Sequence, residues 1–260
     1  MFDLQNLRLN QLKNLDNIKA SEFYSHLIND VTLRLEPIDK KYKNILIIDD
    51  EFELVSKPLR SIYDRTIFTV RDHDQLHTQL AEHFDLILFP FGLHWVNEVQ
   101  LLLSQIKLLL KKDGIFMANF IGGGSLNLLR RLLIKLEIEA NIGHTPHISP
   151  FIQFDHVVPL LQQAGFTENI TDMEAFELEY ESPLLLMKAM QKLGQSNALT
   201  GAVKYSITKK MYQALKHYSE DRFIDHINII TLLACPIKKG IKLKPEFYEI
   251  SEGSTVKTEP

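Results

Sequence analysis

Two alternating periods of apolar residues run along the chain. Leu4, Leu7, Leu12 and Leu15 fall at roughly helical spacing in a polar segment, which predicts an amphipathic helix over residues 1–20, lying on the domain or on a partner. Phe23, Leu27, Val31 and Leu35 predict a second helix over 22–36, ended by Pro37. Apolar runs bounded by charge or turn residues predict strands at 44–49, 66–72, 84–91 and 114–122, with strand-like stretches at 166–180 and 226–237. Helices are predicted between them: a short polar one at 52–61, then 73–83, and 96–112 with Gly114 as its C-terminal stop. Further helices follow at 126–139 with Ser125 as cap, at 155–164 ending at Gly165, and at about 183–193 and 204–218. Residues 140–152, with Gly143, Pro146 and Pro150, read as a loop.

Strands that alternate with helices specify an α/β fold, a mostly parallel sheet wrapped on both faces. The unbroken apolar character of 45–48 and 86–91 agrees, because central parallel strands are buried on both sides. The expected organisation is an N-terminal helix (1–20), a domain over 21–240 with lid or acceptor elements inserted at 140–152 and 182–222, and a polar tail (241–260) whose end is disordered. In such sheets ligands sit beyond the carboxyl ends of the strands. Attention therefore falls on 49–53, 72–74, 91–97 and 121–125.

Composition narrows the function classes. The 260 residues are 45% hydrophobic and 24% charged, as in ordinary globular proteins, and the charge sum is 29 − 33 = −4. That balance argues against a general nucleic-acid binder. A single cysteine, Cys235, excludes a disulfide framework and a Cys-rich zinc site. No apolar run approaches the ~18 residues of a membrane span, and the N-terminus lacks a secretory pattern. A cytoplasmic protein is expected, with peripheral contact at the inner membrane as an alternative.

The segment FPFGLHWVNE is the most unusual in the chain. Phe91 and Gly92 close a strand in a tight turn, and His94, Trp95 and Asn97 then stand at the sheet's carboxyl edge. There they either line a pocket or pack beneath the next helix. Gly122–Ser125 joins a strand to a helix without the Gly-Lys-Ser/Thr ending of a phosphate loop. His144 and His147 lie in a proline-stiffened loop with too few neighbouring ligands for a metal site. Cys235, inside an apolar strand, reads as an inert core thiol.

The strings LHWVNE, LLKKDGIFMANFIGGGSLNLLR, HTPHISPF and KLGQSNAL, in that order, resemble the methyltransferase-like assembly factors of respiratory complex I and their bacterial relatives. These are class I methyltransferases dependent on S-adenosylmethionine (SAM), more distantly similar to the carrier-protein carboxyl methyltransferases of biotin synthesis. The likeness covers roughly residues 22–237. It implies a seven-stranded Rossmann-like sheet with a reversed final hairpin, a SAM site, and a protein partner such as a complex I subunit. It implies cofactor contacts from Asp49, Asp50, Glu51, Asp72, Phe91 and Gly92. It places the acceptor or partner at His94, Trp95, Asn97, His147, Ser149, Phe151 and Asn197, with His94 and His147 as candidate catalytic groups.

The chain departs from that pattern twice. Where relatives carry an acidic residue and a Gly-x-Gly-x-Gly turn, it reads Asp49-Asp50-Glu51-Phe52-Glu53. Every position there bears a Cβ, which keeps the backbone away from the cofactor. The stretch from Asp72 to Phe84 is too short for the family's third strand, so that strand is expected to be missing and the adenine side open. Asp72 is either the residual ribose ligand or a helix cap. Three functions remain: a methyltransferase-like enzyme of the assembly-factor type, a non-catalytic scaffold that has kept the acceptor side, and a carrier-protein methyltransferase.

Overall fold

The computed structural model describes residues 2–50, 52–63, 66–71, 73–142, 146–200, 207–218 and 221–247. Strands β1 (Asn44–Ile48), β2 (Thr66–Val70), β3 (Phe84–Pro90), β4 (Leu110–Ile121), β5 (Glu168–Tyr180) and β6 (Phe223–Cys235) form one sheet in the order β2-β1-β3-β4-β6-β5. The pairs β1–β2, β1–β3 and β3–β4 are parallel, whereas β6 runs antiparallel to both β4 and β5.

Side-chain alternation divides the sheet between two helical layers. Leu46, Ile48, Ile87, Phe89, Phe116 and Ala118 pack with α5 (Val99–Leu109) and α7 (Phe154–Gln163). Ile45, Ile47, Leu86, Leu88, Ile115 and Met117 pack with α3 (Glu22–Leu35) and α4 (Ser56–Ile62). This is why β1 and β3 contain unbroken apolar runs. A third cluster joins α6 (Asn127–Glu139), α8 (Pro183–Lys192) and α9 (Lys209–Lys216) to the far end of β6.

Between β2 and β3 the described residues form only a 3-10 turn, His73–Thr78, and no strand. β2 is therefore an edge strand, largely exposed. The N-terminal segment is two helices, α1 (Leu4–Lys13) and α2 (Leu15–Lys19).

Two local expectations are overturned. Gly114 does not stop a helix. α5 ends at Leu109, and Gly114 lies inside β4, where a Cβ would come within 2.9 Å of the Phe84 carbonyl oxygen. Its role is close approach to a neighbouring strand beside a register shift. Ser125 does not cap α6. Its hydroxyl donates to the Gly122 carbonyl at 2.6 Å and accepts from the Asn228 amide at 3.0 Å. The cap comes from Asp225 on β6, whose carboxylate accepts from the Leu128 amide at 3.4 Å and the Leu129 amide at 2.8 Å. A buried carboxylate at a helix N-terminus meets both unpaired amides and the helix dipole.

Asp225→Ala is expected to cost about 1–2 kcal/mol, lowering Tm by roughly 3–6 °C in a thermal melt.

Candidate functional site

The turn after β1 carries side chains at positions whose backbone favours glycine. Asp49 (φ 57°) and Glu53 (φ 54°) both occupy the left-handed region that favours glycine. The two aspartates in this turn are committed to local structure. Asp49 accepts from the His73 amide at 2.9 Å and pairs with His73 Nδ1 at 2.9 Å. Asp50, buried, accepts from the Val55 amide at 3.1 Å and the Ser56 amide at 2.7 Å at the start of α4.

Opposite this turn lies the chain's own N-terminal segment. Leu4, Leu7, Arg8 and Gln11 of α1, with Ile18 of α2, face Asp49, Asp50, Phe52, His73, Phe91 and Gly92 across a residual space of about 80 Å³. Arg8 donates to the Arg71 carbonyl at 2.7 Å, at the end of β2. A separate recess of about 220 Å³ begins beyond His73, lined also by Asp74, Asn97 and Glu98. The segment is fastened at its tip. The Phe2 amide donates to Asn97 Oδ1 at 2.7 Å, the Phe2 ring meets Trp95 edge-on at 5.3 Å, and the Asp3 amide donates to the Ala198 carbonyl at 2.7 Å.

His94 is wholly buried. Its Nδ1 accepts from the Ile121 amide at 3.4 Å, which leaves Nε2–H to donate to Gln195 Oε1 at 3.0 Å. Gln195 Nε2 donates to the Tyr24 hydroxyl at 2.8 Å, and Tyr24 donates to the Leu193 carbonyl at 3.0 Å. Burial drives the His94 pKa down to about 4, against the Gln195 hydrogen bond, and pushes the Tyr24 pKa up to about 12. This chain of neutral hydrogen bonds, with Trp95 tilted against His94 at 4.8 Å, is a partition. Trp95 borders the small cleft on one side and a second cavity on the other. Its indole N–H is buried and has no acceptor among the described residues.

The second cavity holds about 480 Å³, within the usual range of ligand pockets. Ile121, Leu126, Leu129, Leu133, Met187 and Met190 make its apolar walls. His147, Ser149, Phe151, Gln195 and Asn197 supply the remaining inner contacts, with Lys188 and Tyr212 exposed at the rim. His147 Nε2 pairs at 2.9 Å with Glu137, a buried carboxylate on α6. The Ser149 hydroxyl donates to Asn197 Oδ1 at 3.2 Å, and Asn197 Nδ2 donates to the Pro146 carbonyl.

Residues 32–118 match the family model "Methyltransferase domain". The chain is 41% identical to the presumptive methyltransferase RP459 of Rickettsia prowazekii, over 80% of this chain and 99% of that protein. The chain belongs to this methyltransferase family. It is also 39% identical to human mitochondrial arginine-hydroxylase NDUFAF5 over 44% of this chain, a match that spans 33% of the hydroxylase. A malonyl-[acyl-carrier protein] O-methyltransferase of Laribacter hongkongensis is 24% identical over 51% of this chain and 42% of that enzyme. A solved methyltransferase-like structure from Bacillus halodurans has a TM-score of 0.49 at 14% identity, covering 80% of this chain and 98% of that one.

Against the methyltransferase expectation, Asp49, Asp50, Phe91 and Gly92 do gather at the small cleft. Glu51, Asp72 and His144 lie outside the described residues. Trp95, His147, Ser149, Phe151 and Asn197 gather at the large cavity, while Asn97 faces the Phe2 backbone instead. His94 lines neither space and has both ring nitrogens engaged, so it serves the partition. Sequence reasoning missed Tyr24, Arg8 and Leu7 as site residues, and it quoted Gln195 only as part of the string KLGQSNAL. No group of three or more metal-ligating side chains occurs among the described residues.

His94 is neutral in the fold and protonates near its ordinary value when unfolded, so its contribution is full above pH 6.5 and is lost as pH falls toward about 4. Wild type should lose about 3 kcal/mol more stability than His94→Gln over that window, read from urea melts at pH 7.5 and pH 4.5.

Proposed function

We propose that this is a methyltransferase-fold protein that binds a client on the acceptor side and does not turn over SAM. The observation that carries this reading is the inequality of its two spaces. The cofactor cleft retains about 80 Å³ beside α1, far below the ~300 Å³ of a small ligand pocket, whereas the acceptor cavity has about 480 Å³. SAM needs one continuous cleft and a backbone it can approach closely. Here His73, pinned by Asp49, stands between the cleft and the adjoining recess, and side chains occupy the turn. The residues present do not fit the cofactor.

The likeness to complex I assembly factors makes a protein subunit of a respiratory complex the client that this reading favours. The site offers that client the acceptor face, from Trp95 to Asn197. His94 is fully hydrogen-bonded and does not act as a base in this arrangement, while Glu137 holds His147 through Nε2.

Calorimetric titration of the full chain with SAM should give no heat of binding up to about 1 mM, whereas a Kd in the micromolar range (about −8 kcal/mol) would contradict the proposal.

A further inference from the structure

The larger cavity has a chemistry of its own. Its walls are aliphatic, with Met187 and Met190 able to adapt to a flexible guest. Its lining holds no carboxylate among the described residues. Glu137, which is not in that lining, is bonded to His147. One charged group of the lining is left without a counter-charge, the ammonium of Lys188 at the rim, with no ion pair among the described residues. A guanidinium or ammonium group would find no counter-charge there, so the chemistry in the name of the arginine-hydroxylase relative has no counterpart in this lining. An apolar body with an anionic head matches these walls and Lys188.

We propose that this cavity binds a single-chain aliphatic carboxylate, with its chain against Leu126, Leu129, Leu133 and Met187 and its head at the rim beside Lys188. Keeping the charge at the rim avoids the cost of burying it unpaired. The volume of about 480 Å³ sets the length: at the ~30 Å³ that a water molecule occupies in the liquid, it holds roughly 15 heavy atoms, a chain of about ten to fourteen carbons. The inference rests on the acceptor side being the working site and is independent of the state of the cofactor cleft.

The test titrates the full chain with dodecanoate, dodecanol and dodecylamine by calorimetry. Dodecanoate should bind saturably at one site, dodecanol more weakly, and dodecylamine weakest. Lys188→Glu should weaken dodecanoate about fivefold and leave dodecanol unchanged, as expected for one exposed charge pair. Met187→Trp, which fills the cavity, should abolish binding of both while Tm is kept. Absence of saturable dodecanoate binding would overturn the proposal. So would amine binding as tight as acid, or acid binding indifferent to Met187→Trp. Capture by dioleoylphosphatidylglycerol vesicles without binding of the free acid would also overturn it, placing the affinity in a lipid surface. A parallel SAM titration reads the proposed function separately: heat from SAM contradicts that reading and leaves this one standing.

Discussion

The seating of Phe2 on Trp95 governs the rest of the site. An edge-to-face ring pair, a hydrogen bond to Asn97 and a backbone bond to Ala198 hold the tip of the chain against the turn after β3. From that anchor α1 runs across the carboxyl ends of β1 and β2, and Leu7 is buried in the small cluster of Phe2, Trp95 and Ala198. Aromatic burial plus fixed hydrogen bonds outweighs the weak intrinsic stability of a ten-residue helix. Trp95 and Asn97 from one string and Ala198 and Leu199 from another together make the seat of the N-terminal segment.

That seat also separates the molecule's two spaces. The run from Ile121 through His94, Gln195 and Tyr24 to Leu193 is satisfied at every step shown, and such networks resist rearrangement because breaking one bond strands a buried polar atom. Trp95 is the thin point, touching both sides with its indole N–H unspent. The small cleft is packed with the chain's own residues and the large cavity is open.

Much of the architecture was legible in the sequence because it rests on local pattern. The runs at 45–48 and 86–91 announce strands buried on both faces. What was illegible depends on distance in the chain. Asp225 caps a helix almost a hundred residues earlier, which no periodicity encodes. Gly114 resembles a helix stop until Phe84 is placed beside it. The leucines of α1 show that the helix has an apolar face but not what that face covers. His94 sits in a motif that suggests chemistry, yet its partners, the Ile121 amide and Gln195, leave it no free nitrogen.

The central claim is that the N-terminal helix and the side chains of the first turn fill the place a nucleotide cofactor takes in related folds. A crystal structure of the full chain soaked with S-adenosylhomocysteine tests it most directly. The account predicts Leu4, Leu7 and Arg8 ordered against Phe52 and Phe91, with no ligand density between them. Full density for the nucleoside at that position, with α1 displaced, would contradict it.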